Sequence, residues 1–222
     1  AIRNYYHGPV SYNTDKYQEE NVTWWDCVDM ISSSGYYPID QWEQELDRIE
    51  TLVHSLLKIT KLDAGTIELE KSLENVSELA ENIKKHFLFR AEQEGKEIHL
   101  SGNEEISLLC DRNWIIEAIG NLVKNALDHT EKGGIIRIEW RAFASIVQIT
   151  VKDNGSGIHP EDLHHIFMRF YRSRFSKDVQ GIGLGLPLAK AIIEAHNGTI
   201  EVDSTLSTGT SFTINFLNPT KL

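Results

Sequence analysis

The chain has 222 residues, 41% of them hydrophobic, and a net charge of −11. That length and apolar content suffice for one large domain with a real core, or a domain plus an appendage. The acidic balance excludes indiscriminate nucleic-acid binding, because phosphates need cations facing them. No run of about eighteen apolar residues occurs, so no spanning helix is expected, and no signal peptide is visible. Two cysteines, Cys27 and Cys110, fit a reducing compartment with no need of a disulfide. The chain starts at Ala1, not Met, which reads as a processed or truncated piece.

Residues 1–39 stand apart. They hold six of the seven tyrosines, with Trp24 and Trp25, punctuated by "HGPVS", "SSSG" and "YYP". No sustained period runs through them, and they stay unassigned. From Asp40 the pattern turns helical. Trp42, Leu46, Ile49, Val53 and Leu56 step by 4, 3, 4, 3, a heptad seam, and Leu52, Ile59 and Leu62 widen it. Asp40 is the expected cap and Gly65 the expected stop of this 40–65 helix. Its broad apolar face suits packing on its own domain or a bundle across a dimer. "TIELE" (66–70) alternates like a strand. Ser77 is the expected cap of a helix to about Gln93, ended by Gly95. "EIHLS" and "ISLLC" read as strands. Asp111 then caps a helix through about His129. "IIRIEW" and "IVQITVKD" read as a hairpin. Pro160 opens a short helix to about Phe167, residues 169–181 a loop, and Gly185 a helix to His196. "TIEVDS" and "TSFTINF" close the chain as strands. The sum is an α+β fold, a two-layer α/β sandwich with a mixed sheet over 66–222, preceded by a bundle-type helix.

Three glycine-bearing stretches point to chemistry. "DNGSGI" follows a strand, "GIGLGLPLAK" precedes a helix, and "STGTSF" lies between strands. Glycine permits close backbone approach to a ligand, and exposed N–H groups at a helix start favour an anion. The P-loop pattern is absent. A dinucleotide fingerprint would need G-x-G-x-x-G in a strand-to-helix turn, whereas here G-x-G-x-G follows a loop. On "NLVKNALDHT", Asn121 and Asn125 stand one above the other on a helix, where asparagine is an indifferent choice. "FMRFYRSRFSK" gathers Arg169, Arg172, Arg174 and Lys177 in a globally acidic chain. Taken singly, each stretch is also explained by loop punctuation, buried amides or a solvated basic loop.

Together and in this order, N-x-x-x-N, D-x-G-x-G, F-x-R-F-Y-R, G-x-G-L-G and T-G-T resemble the ATP-binding domain of sensor histidine kinases. That domain belongs to the superfamily of gyrase, Hsp90 and MutL ATPases. The resemblance is strong over 111–217 and extends to 66–110. The 40–65 helix resembles the second helix of the family's dimerisation and phosphotransfer hairpin. It implies ATP and Mg²⁺ as cofactors, with Asn125 as the metal ligand through its amide oxygen. Asp153 would accept from the adenine amine. Gly155, Gly157, Ile158, Gly181, Gly183, Leu184, Gly185 and Thr210 would line the nucleotide. Lys124 and His129 would touch phosphate or sugar. Phe167 and Phe170 would anchor a lid, and Arg169 and Arg172 would act on the phosphoryl group. Asn121 stands where the ATPase branches place a water-activating glutamate, which favours transfer over hydrolysis. Asp128 stands where many members carry a lysine. Trp114 and Trp140 are expected in the core.

The family's phosphoacceptor is a histidine followed by Asp or Glu and, a few residues on, by Pro. None of the nine histidines, including His7 and His54, is followed by an acid. The expected function is therefore the ATP-binding kinase portion of a two-component sensor histidine kinase, acting on a histidine not identifiable in this chain. A response regulator would be its partner, with a homodimer through 40–65. The expected place is the cytoplasm, or the cytoplasmic portion of a membrane-anchored sensor. The alternatives are a non-catalytic nucleotide-binding scaffold, or an ATPase or serine kinase of the same superfamily.

Overall fold

The computed structural model describes residues 39–173 and 182–219. The 1–38 segment, Arg174, Lys177 and Gly181 lie outside the described residues. Two compact units divide the chain, 1–49 and 50–222. The division falls inside helix α1, Ile39–Asp63. The helix starts at Ile39, so Asp40 lies within its first turn and is not its cap. It stops where expected: Gly65 takes φ +62 and Thr66 N–H returns to the Lys61 carbonyl at 3.1 Å. The widened stripe and the seam part company. Ile59 and Leu62 are buried in the core of the 50–222 unit and Leu52 packs against it. Trp42, Leu46, Ile49 and Val53 are exposed.

In the 50–222 unit, residues 66–70 form no strand. Ile67 and Leu69 are half-buried, which explains the alternation, but a strand also needs ladder partners. Those come a step later, where β1 (Ser72–Asn75) pairs antiparallel with β3 (Ser107–Cys110). Helix α2, Val76–Gln93, is capped by Asn75, not Ser77: Asn75 Oδ1 accepts from Glu78 N–H at 3.1 Å. Asn75 holds the extended conformation a cap needs, and Ser77 is already helical. Gly95, at φ +63, ends the helix as expected. Helix α3, Arg112–Asp128, is capped by Asp111 Oδ1, which accepts from the Asn113 and Trp114 amides.

Five strands make the main sheet: β2 (Glu97–Gly102), β4 (Ile135–Ala142), β5 (Ile146–Asp153), β6 (Thr199–Thr205) and β7 (Gly209–Leu217). Their order is β2-β4-β5-β7-β6, with β2 parallel to β4 and the remaining pairs antiparallel, so the sheet is mixed. Alternate residues of the central strands are buried: Ile136, Ile138 and Trp140; Val147, Ile149 and Val151; Phe212, Ile214 and Phe216. They meet Ile115, Ile119 and Leu122 of α3 and Leu188 and Ile192 of helix α4 (Gly185–Ala195) in one core. The other face is polar, as Gln148 donating to Asn215 at 2.9 Å illustrates. One face buried and one wet is the pattern of a two-layer sandwich.

The short helix expected from Pro160 is a succession of turns. Asp162 and Met168 N–H bond three residues back, to the His159 and His165 carbonyls. A segment this short does not repay helix nucleation. The buried Asp162 also accepts from Tyr171 Oη–H at 2.6 Å, which ties the segment to the loop after it.

Candidate functional site

Strand alternation that buries Val147, Ile149 and Val151 carries on to Asp153 and puts a carboxylate on the core side of the sheet, 4% exposed. Its neighbour across the ladder end is Thr210, in the buried row of Phe212 and Ile214. Asp153 Oδ1 accepts two backbone bonds, from Gly155 N–H at 2.8 Å and Thr210 N–H at 3.2 Å. Oδ2 accepts none among the described residues. Burial pushes the Asp153 carboxyl above its ordinary range, partly offset by these two amides and by His129. The result is a strong, oriented acceptor aimed by its own strand.

The loop after it is pressed against two neighbours. A Cβ on Gly155 would sit 2.2 Å from the His129 carbonyl, and one on Gly157, at φ +70, 2.2 Å from the Thr205 carbonyl. Ser156 N–H donates to the His129 carbonyl at 3.0 Å, which binds the loop to the end of α3. Ile158 N–H donates to Ser204 Oγ at 2.8 Å, and Ser204 in turn meets Thr210 Oγ1 at 3.0 Å. Asn154 Oδ1 accepts from Ile135 N–H and fastens the start of β4.

The two asparagines of α3 differ. Asn121 Nδ2 donates back to the Glu117 carbonyl at 3.0 Å, and its Oδ1 stands 3.2 Å from where a Cβ on Gly185 would lie. The plainer reading, a half-buried amide tied to its own helix, is thus realised for one end of Asn121. The other end faces the start of α4. Asn125, one turn on and half-buried, makes no side-chain hydrogen bond among the described residues. Lys124 is exposed and His129 half-buried. Glu117 is engaged by Lys58 Nζ at 2.6 Å, and Lys58 also lies 5.7 Å over the Trp114 ring. Asp128 pairs with Arg90 of α2 at 2.6 Å.

Leu184 is buried, Pro187 is in the first turn of α4, and Gly183 takes φ +76. Phe170 N–H donates to the Gly183 carbonyl at 2.9 Å while Phe170 itself sits at φ +62. Such a conformation costs a non-glycine residue about 1–3 kcal/mol and marks a segment held by its surroundings. Phe167 anchors this segment, edge-on to Phe212 and 5.4 Å under Lys190. Phe170 does not anchor it by packing, because its ring is 53% exposed. Arg172 is exposed, and Arg169 is turned to Asp63 at the end of α1 in an ion pair.

The structure therefore joins Asp153, Gly155, His129 and Thr210 by direct contacts, with Ile158 linked to Thr210 through Ser204 and Gly157 set against Thr205. It joins Asn121 to Gly185 and Phe170 to Gly183, and it draws Arg169 elsewhere. Sequence reading missed Asn154, Ser204 and His196. Asn154 was visible in "DNG" as a turn residue; Ser204 carries no signal. His196, considered only as an acceptor, is buried and bridges two helices: its Nε2 accepts from Asp111 N–H at 3.1 Å and its Nδ1 meets the Ile192 carbonyl at 2.8 Å.

A family profile described as Histidine kinase-, DNA gyrase B-, and HSP90-like ATPase matches residues 110–220. A second, Glycoside Hydrolase Family 113, matches residues 1–93. Sensor histidine kinase YvrG of Bacillus subtilis is 32% identical over 175 residues, 78% of this chain and 30% of that protein. The structure of full-length ShkA in complex with AMPPNP aligns with TM-score 0.71 and 25% identity over 79% of this chain and 37% of ShkA. Histidine kinase ThkA in complex with response regulator protein TrrA aligns with TM-score 0.65 and 24% identity, over 93% of this chain and 55% of ThkA, a likeness of fold. The chain spans about a third of the length of the curated relatives it matches.

Proposed function

The chain belongs to the histidine kinase-, DNA gyrase B- and HSP90-like ATPase family, and from that premise we propose that it is the Mg·ATP-binding kinase portion of a sensor histidine kinase. The observation that carries this reading is Asp153. It is a buried carboxylate with one oxygen fixed by two backbone amides and the other offered to a ligand. An exocyclic amine satisfies such an acceptor, and adenine has one. Gly155 and Gly157 let the loop after Asp153 lie directly against the His129 and Thr205 carbonyls, which fixes its path beside the carboxylate. The donor chemistry fits the metal: Asn125, one turn from Asn121, offers a hard amide oxygen. Bound Mg²⁺ would supply charge neutralisation across the triphosphate oxygens.

The rest of the work falls to the chain. The N–H groups at the start of α4, reached through Gly183, Leu184 and Gly185, suit phosphate oxygens. Lys124, Arg169 and Arg172 supply local cations in an acidic protein, and His129 adds a ring able to hydrogen-bond. Asn121 cannot take a proton from water, and Glu117 is neutralised by Lys58. The site thus favours transfer of the γ-phosphoryl group to a histidine over hydrolysis. That acceptor lies on another segment or another chain, since no histidine here carries the expected acidic neighbour.

A response regulator would receive the phosphoryl group onward, and the exposed Leu46, Ile49 and Val53 of α1 suit a second copy. The functional division is 40–65 as a bundle helix and 66–222 as the nucleotide domain, facing the cytoplasm. Residues 1–39 are left unassigned.

Calorimetry with a non-hydrolysable ATP analogue tests the proposal. The wild type should bind it in a Mg²⁺-dependent way. Asp153→Asn should weaken binding by roughly 10- to 100-fold, since losing a buried charged acceptor costs about 1.5–3 kcal/mol. Asparagine keeps Oδ1 on its two amides and turns an NH₂ toward the ligand's own NH₂. Asn125→Ala should abolish the Mg²⁺ dependence. Wild-type protein indifferent to nucleotide would overturn the assignment.

A further inference from the structure

Arg169 lies between Met168 and Phe170, on the segment that Phe170 N–H ties to Gly183 at the approach to α4. Its guanidinium is drawn to Asp63, the last residue of α1, and donates to Asp63 Oδ2. The pair is not isolated. Five residues back on α1, Lys58 binds Glu117 of α3, the helix that carries Asn121 and Asn125. Between them Ile59 and Leu62 are buried in the core. The end of α1 is therefore fastened to the nucleotide domain at two charged points flanking an apolar one. One of those points uses an arginine assigned above to phosphate.

We propose that Asp63 competes with the nucleotide's terminal phosphate for Arg169, so that α1 and ATP cannot both hold this side chain. The inference rests on the reading of the site as an ATP site. Both partners are about half exposed, at 43% and 49% of their side-chain surface. A pair so exposed is weak in water. A phosphate offers the guanidinium two charged oxygens in a matching fork and outcompetes a single carboxylate oxygen. Asp63 therefore biases Arg169 and does not lock it. Glu117 and Lys58 stay paired in both states, so the release is local to the last turn of α1 and the Gly65 stop.

The test measures affinity for an ATP analogue and for ADP, and amide exchange at residues 62–66, in four versions of the 222-residue chain: wild type, Asp63→Asn, Arg169→Gln and the double variant. Thermal midpoints check that each folds. Asp63→Asn should tighten the triphosphate by about two- to five-fold and leave ADP unchanged. It should also remove the rise in exchange at 62–66 that the triphosphate causes in the wild type. Arg169→Gln should weaken the triphosphate, and Asp63→Asn on that background should change nothing. If Arg169→Gln weakens the triphosphate but Asp63→Asn leaves both affinity and exchange as in the wild type, the competition is wrong while the ATP site stands. If Arg169→Gln alters neither nucleotide, the phosphate role of Arg169 is wrong, and the competition falls with it.

Discussion

At the scale of single residues, the site is made by side chains that the backbone holds from both sides. Asp153 shows this best. Its strand aims it, and amides two residues on and across the ladder fix one oxygen. The glycines around it exist for room. Gly209 takes φ +125, and a Cβ there would stand 2.0 Å from the Asp153 carbonyl. Gly133 has an equally unusual φ of +83 with nothing within 4 Å. The two separate strain from collision. Gly133→Ala should cost about 1 kcal/mol, whereas Gly209→Ala should cost well over about 2 kcal/mol and lower the thermal midpoint by about 5 °C or more. Equal midpoints in the two variants would show that the approach of β7 to Asp153 is not tight. Cys110, buried beside Glu74 and Asp111, has its thiol pushed up to about 12 and is chemically inert.

At the scale of elements, the start of α3 and the end of α4 share one hinge of polar contacts. Asp111 caps α3 with Oδ1, receives Glu70 N–H on Oδ2, and gives its own N–H to His196 at the C-cap of α4. His196 must be neutral to accept there, with its proton on Nδ1 toward the Ile192 carbonyl. Burial, the largest cause, holds its pKa below the ordinary value of about 6.5, and Lys71 adds to this; the Ile192 carbonyl and Asp111 partly oppose. The sign follows. Between the lowered folded value and about 6.5 the unfolded chain binds the extra proton, so stability rises with pH across that window and is lost as pH falls through it. Urea unfolding of the wild type should show this slope, and His196→Asn should flatten it. A slope that survives the substitution would assign it to other groups.

At the scale of the whole chain, the 50–222 unit holds one core, and α1 contributes to it only from its second half. Ile59→Ala should destabilise that unit by about 2–4 kcal/mol, because Ile59 is 1% exposed and its loss leaves a cavity. Val53→Ala, on the open seam, should leave a dilute sample's stability unchanged. If the seam is covered by a second copy, as proposed, Val53→Ala should instead weaken self-association in sedimentation at rising concentration. An unchanged association profile in that variant would remove the seam from the dimer.

Much of this architecture is legible without coordinates, because it depends on periods and punctuation. The hairpin β4–β5, the Asp111 cap, the stops at Gly65 and Gly95, and the order of the nucleotide motifs are local signals, and local chemistry suffices to read them. The strand expected at 66–70, the Ser77 cap and the helix from Pro160 went elsewhere because each depended on a partner or a neighbour of equal propensity. Ile67 packs without a ladder, Asn75 outranks Ser77 by its extended backbone, and the turns after Pro160 are held by contacts such as Asp162 with Tyr171. The sequence by itself determined the alternation of β4, β5 and β7, the Asp111 cap and the stops at Gly65 and Gly95, and hence that Asp153 falls in the buried row at the end of β5. Only the tertiary structure decided that Asn121 is half committed to its own helix, that His196 joins α4 to α3, and that Arg169 rests on Asp63. Those contacts link residues 4, 85 and 106 positions apart; the first turns on a rotamer, and the other two on packing that no local pattern encodes.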